Sequence, residues 1–194
     1  YEALKYFTEF WSSDNTDPCE RLYIQWDYSQ FLPIKAMGAH VTGWNKQAGI
    51  KFRTDVAMMC KLGFDISLDE LSADEREFCR MAVSNYNRFK NVILDGDFYR
   101  LVSPYETNHT AVMHVAKDAA KAVVFANDIF PRSMERVWRV MLQGLDPAKT
   151  YKVEETNLMP GQKPSLPEHG KTFSGDYLMT IGLNALRASR MTSR

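Results

Sequence analysis

Asp14 stands in the run Trp11-Ser12-Ser13-Asp14-Asn15-Thr16-Asp17-Pro18, a tight polar loop directly ahead of an expected helix. A carboxylate so placed can face a ligand and give or take a proton, and functional groups concentrate on such loops. The neighbouring acid reads differently. Asp17 precedes Pro18 and is followed three positions later by Glu20. That is an acidic N-cap, a proline at the first helical position and a Glu able to reach back to the cap. Asp17 is therefore expected to be structural. Asp14 lies outside the cap, among Ser12, Ser13, Asn15 and Thr16, and its alternative is an ordinary solvated loop acid. Carboxylates that transfer protons often act in pairs, and no convincing partner is evident in the sequence.

Other chemistry is thinly represented. Cys19, Cys60 and Cys79 have neither zinc-site nor disulfide-framework spacing and read as small buried thiols in a reducing setting. His40, His109, His114 and His169 are scattered, so no metal site and no cofactor is expected. Asn108-His109-Thr110 matches a glycosylation acceptor, a short pattern of little weight. Lys plus Arg number 24 and Asp plus Glu 24, so no polyelectrolyte partner is implied and no basic face for nucleic acid is present. No apolar run is long enough to span a bilayer. The 194 residues fit one large domain or two small ones. The chain starts at Tyr1 with neither an initiator Met nor a signal-peptide pattern, which reads as an excised fragment or a processed product and leaves the compartment open.

The elements that must position Asp14 follow from periodicity. Cys19, Leu22, Tyr23, Trp26 and Gln30 recur at helical spacing, giving a helix over 18–30. Pro33 to Thr42 reads as a buried strand emerging into a loop with His40, Thr42, Trp44 and Asn45. A second helix is expected over 53–61, a turn at Gly63, and a short strand over 64–66. Ser72 and Glu75 form a capping box for a helix that carries Phe78, Met81, Ala82, Asn85, Phe89 and Val92 on one face and stops before Asp95-Gly96.

The second half changes character. Runs at 97–104, 110–117, 121–128, 136–143, 149–155 and 176–183 are rich in β-branched and aromatic residues and are separated by turn residues, the pattern of an antiparallel sandwich. The stretch 159–170 reads as a long surface loop. The expected class is α/β plus all-β, with strand–helix units over 1–95 and an antiparallel β domain over 96–194. Two or three βα units cannot close a barrel, so exposed sheet edges are expected.

Five segments in order also carry a resemblance: Ser13-Asp14-x-Thr16-Asp17, then Glu20-Arg21-Leu22-x-x-Gln25, then MGAHV at 37–41, DVAMMCKLG at 55–63 and GDFYRLVSP at 96–104. Together they resemble the C-terminal part of the retaining α-galactosidases (melibiases) of glycoside hydrolase family thirty-six. The resemblance implies the final strand–helix units of a (β/α)8 TIM barrel followed by a C-terminal antiparallel β-sandwich. It puts the Asp14 loop at the barrel face where active sites lie. It implies hydrolysis of terminal α-galactosides such as melibiose and raffinose-type oligosaccharides by double displacement, with Asp14 as general acid/base. The nucleophilic Asp and the family's K-W-D and C-x-G-G-G-R segments would lie upstream. Retaining chemistry needs two carboxyl groups about 5 Å apart, so the chain alone is expected to be inactive and its first partner is the missing N-terminal part of the enzyme. Gln25-Trp26-Asp27 only looks like the nucleophile motif, because Asp27 falls inside a helix.

Trp11 is a candidate for lining the sugar site, or it packs in the barrel. His40, ending an expected strand, is a candidate substrate contact, or it holds a loop by hydrogen bonds. Arg53 and Asp55 read as rim ion pairing, and Tyr99, Arg100 and Tyr105 as packing between the two parts. Two other functions stay open at this point. One is galactosyl transfer of the raffinose-synthase type. The other is a non-catalytic carbohydrate-binding or oligomer-forming β module, for which Tyr99, Phe125 and Trp138 are candidate aromatic contacts. A homo-oligomer is compatible with either.

Overall fold

The computed structural model describes residues 2–130 and 138–185. The first half is built on three parallel strands, β1 (Phe10–Trp11), β2 (Met37–Thr42) and β3 (Lys61–Asp65), in the order β1-β2-β3. Helix α1 (Pro18–Tyr28) joins β1 to β2, and α2 (Ile50–Met58) joins β2 to β3. The outer edges of β1 and β3 carry no strand partner among the described residues. The long helix α3 (Ala73–Asp95) follows, and its Ser72–Glu75 capping box forms as expected, with both reciprocal hydrogen bonds present.

Four expectations for this half need correction. The α2 helix starts at Ile50 after a Gly49 N-cap and ends at Met58, so Lys61 already belongs to β3. Gly63 is not a turn residue. It sits inside β3 opposite His40, where a Cβ would come within 2.4 Å of the imidazole. His40 accordingly lies within β2 rather than in the loop beyond it. Of the expected rim ion pairing, Asp55 forms its pair, with Lys51, whereas Arg53 has no ion-pair partner among the described residues. Arg53 donates to the carbonyls of Thr42 (2.8 Å) and Trp44 (3.2 Å), while Asp55 binds Lys51 at 2.5 Å and accepts from Asn157 at 2.8 Å.

The second half opens with the antiparallel sheet β4 (Asp97–Val102), β5 (His109–Val115) and β6 (Ala122–Asp128), with β5 in the centre. Small two-stranded pairs follow: β7 (Arg139–Val140) with β10 (Leu183–Asn184), and β8 (Thr150–Lys152) with β9 (Thr172–Ser174). The first two residues of the expected 136–143 strand, and the chain beyond 185, lie outside the described residues. The run at 176–183 is largely helical. Ser174 caps the Tyr177 amide and starts α4 (Gly175–Thr180), so local capping overrides its strand-like composition. The loop at 159–170 belongs to an irregular stretch that is pinned inward. Asn157, buried with φ 55°, bonds Asp55 on α2 and accepts from Asn85 on α3 at 2.8 Å. Among the described residues no helix is long and apolar enough to cross a membrane.

The alternation along β5 divides two cores. Val112 joins Phe78 and Ile93 of α3 and the strands of the first half, whereas Ala111, Met113 and Val115 face Val140, Leu142 and Leu178. Every residue of β5 is buried in consequence. Tyr99 pairs with Met113 on one face and Phe125 with Val112 on the other, so these aromatics do not form a row. Trp138 stacks on His109 with ring centroids 4.5 Å apart. Arg100 donates to the Ser29 carbonyl (3.0 Å) and the Tyr105 hydroxyl to Asp27 (2.5 Å), tying α1 to β4 and the turn after it.

His114 is the polar exception in this core. It is fully buried, with the Phe98 ring at 5.0 Å and the Phe125 ring at 6.0 Å. Burial pushes its pKa down from 6.5 to about 4. The Ile93 backbone opposes that shift but makes no well-formed hydrogen bond with either ring nitrogen. Between those two values the unfolded chain takes up a proton that the folded protein refuses, so stability falls as pH drops through the window and levels off below it. The expected loss is about 2 to 3 kcal/mol. In the full-length protein, exchange protection of the β5 amides, corrected for intrinsic rates, should drop by roughly 30- to 100-fold across this window. His114→Leu should abolish the drop, and a flat profile in the unsubstituted protein would contradict the assignment.

Candidate active site

The Asp14 loop spans the C-terminal end of β1 and the N-terminus of α1. Its shape is set by successive local bonds. Ser13 Oγ accepts from the Asn15 amide (3.1 Å), and Asn15 Oδ1 accepts from the Asp17 amide (3.0 Å). Asp17 Oδ1 then caps α1 by accepting from the Cys19 (2.9 Å) and Glu20 (3.1 Å) amides. Asp17 is thus structural, as the sequence implied, but Asn15 rather than Glu20 satisfies its amide. Thr16 is buried and meets Thr42 at the end of β2, with 2.9 Å between the hydroxyls.

Asp14 itself is exposed and takes no part in these bonds. Its Oδ1 accepts from the Trp11 indole N–H at 2.8 Å. Trp11 lies over Gly38 of β2 and beside the His40 ring, with centroids 4.5 Å apart. The structure therefore brings all three sequence candidates, Trp11, Asp14 and His40, into one cluster at the strand ends. Gly38 and Gly63 open the room that the two rings occupy. Asp27, the residue of the superficial motif, lies on α1 and accepts from the Tyr105 hydroxyl, whose pKa that hydrogen bond pushes up to about 12.

Arg21 is the functional residue that hydrophobic periodicity missed. Its guanidinium is buried under the loop, 5.4 Å from the Trp11 ring centroid. It donates to the carbonyls of Ser13 and Gly38, both at 3.2 Å, and to Gln25 Oε1 at 3.4 Å. One side chain thus ties the Asp14 loop, β2 and α1 together. Burial lowers its pKa from the ordinary arginine value. The signal lay in the spacing of Arg21 and Gln25, two polar residues four apart on the buried face of α1.

Among the described residues no group of three or more His, Cys, Asp or Glu could hold a metal ion. Cys60 is fully buried and burial pushes its thiol up to about 12, which removes it as a nucleophile at neutral pH.

Two family models match in succession, Melibiase over residues 2–96 and the glycosyl hydrolase family 36 C-terminal domain over residues 109–194. The chain is 35% identical over 187 residues to the probable α-galactosidase C of Aspergillus terreus, covering 93% of this chain and 23% of that protein. Among solved structures it is similar to the family 36 α-galactosidase AgaB of Geobacillus stearothermophilus, with TM-score 0.83, 32% identity, and 96% of this chain and 25% of that chain covered. A variant of the α-galactosidase AgaA of the same organism, in complex with stachyose, gives TM-score 0.79 and 32% identity over 91% of this chain and 23% of that one. The chain thus spans about a quarter of the length of the proteins it matches. With both segment models matched in order and solved family members superposing over nearly its whole length, the chain belongs to glycosyl hydrolase family 36.

Proposed function

We propose that this chain works within a longer polypeptide as the C-terminal part of a retaining α-galactosidase, with Asp14 as the general acid/base. Residues 1–95 supply the last strand–helix units of a (β/α)8 barrel and residues 96–194 a C-terminal antiparallel β domain. The observation that carries the reading is the orientation of Asp14. One carboxylate oxygen is held by the Trp11 N–H at the carboxyl ends of parallel strands, which leaves the other to exchange a proton. The nucleophilic carboxylate comes from upstream in the same polypeptide. Stachyose, bound by the AgaA variant, exemplifies the substrate class of terminal α-galactosides.

Each step assigns Asp14 one proton. In the first, the upstream carboxylate attacks the anomeric carbon while protonated Asp14 gives its proton to the departing glycosidic oxygen. In the second, the Asp14 carboxylate takes a proton from water as that water displaces the enzyme from the sugar. Trp11 and His40 line the sugar side of this reaction. NMR of raffinose cleavage by the full-length protein tests the reading. Free galactose should appear first as the α anomer, before mutarotation. First appearance of the β anomer, or no galactose at all, would refute it.

A further inference from the structure

The acid/base of a glycosidase stands on the leaving-group side of the scissile bond, since it protonates that group and then admits water in its place. Side chains beside Asp14 on the rim are therefore placed to meet whatever the galactose is attached to. The loop after β2 is the immediate neighbour. Asp14 is three residues beyond the end of β1 and Trp44 two residues beyond the end of β2, and these strands pair in parallel. The two loops are joined by hydrogen bonds. Asn45 Nδ2 donates to Thr16 Oγ1 (3.1 Å), and Thr16 meets Thr42 (2.9 Å).

The Trp44 backbone is fixed from three directions. Its amide donates to Thr42 Oγ1 (3.3 Å), its carbonyl accepts from the buried Arg53 (3.2 Å), and Asn45 behind it holds a left-handed turn with φ 57°. Farther along the loop, Lys46 pairs with Glu70 from the loop after β3 at 2.7 Å. The indole on this pinned backbone is nonetheless 66% exposed. A large apolar ring held out on a fixed loop needs no ordering when a flat partner arrives, and sugar C–H faces pack on indole.

We infer that Trp44 is a stacking platform for the leaving-group sugars of the substrate, the part of an oligosaccharide beyond the galactose being removed. This rests on the glycosidase reading and adds a specificity residue to it. Trp44 gives binding and not proton transfer, so its effect falls on KM and on substrates with a long leaving group.

The test compares stachyose with α-galactosyl fluoride, whose leaving group offers no sugar to stack. In the full-length protein, Trp44→Ala should lower the ratio of kcat/KM for stachyose to kcat/KM for the fluoride by about tenfold, corresponding to about 1.4 kcal/mol. The loss should appear in KM, and Trp44→Phe should keep the ratio within about threefold of the parent. An unchanged ratio, or equal losses on both substrates, overturns the platform while the glycosidase reading stands. Failure of the unsubstituted protein to cleave either substrate overturns the glycosidase reading itself, and the platform with it.

Discussion

Asp14→Ala in the full-length protein is expected to lower kcat/KM for raffinose by about 10³- to 10⁴-fold, the upper part of the range for a lost general acid. The sugar leaving group of raffinose cannot depart as an alkoxide at neutral pH, so the first step stalls without a proton donor. An activated substrate such as 2,4-dinitrophenyl α-galactoside needs no such help, and its kcat/KM should fall by less than about tenfold. Its second step still lacks a base, so an initial burst of dinitrophenolate should precede slow turnover. Equal losses on the two substrates would make Asp14 a binding or structural group. The fold argues against a structural role. Asp17, Asn15 and Ser13 already shape the loop, and Asp14 contributes no bond to that shape beyond the one from Trp11.

Arg21→Met should have the largest effect on stability. The buried guanidinium serves Ser13 O, Gly38 O and Gln25 Oε1, and methionine would bury those acceptors without donors. At 1 to 3 kcal/mol for each orphaned group, partly relieved by relaxation, the expected loss is about 3 to 5 kcal/mol. Arg21 has no ion-pair partner among the described residues, and its acceptors are neutral, so the loss should persist in high salt. The Asp14 loop would lose the Arg21 bond to Ser13 and keep only the Asp17 cap as a described tether to α1, so limited proteolysis should cut near residues 12–16 before elsewhere. Urea denaturation of the full-length protein, followed by fluorescence, gives the magnitude. A change below about 1 kcal/mol would mean that water or the rest of the polypeptide supplies the missing donors.

The sequence disclosed those features whose causes are local. The Ser72–Glu75 box and the Asp17 cap with Pro18 behind it each depend on neighbours within a few residues, and each appears in the structure. Features that depend on distant partners were misread. Gly63 looked like a turn because the His40 ring that it accommodates lies more than twenty positions away. Residues 176–183 were misread for a different, local reason, because their strand-like composition is overridden by the Ser174 cap just outside the run. Arg21 and Gln25 stood out only as letters of the resemblance, because polar side chains on a buried face are invisible to hydrophobic periodicity. Of the candidate cluster, Asp14 was legible from its loop. The Trp11 bond that orients it depends on how the chain turns after β1, which residue types alone do not specify.

Azide rescue of Asp14→Ala is the most direct measurement of the central claim. A glycosyl-enzyme stranded without a base can still be attacked by azide, which needs no deprotonation. Attack on that intermediate inverts the anomeric centre a second time, so turnover of the activated substrate should recover with α-galactosyl azide as product. Formation of β-galactosyl azide would instead make Asp14 the nucleophile, and no rescue at all would remove it from proton transfer.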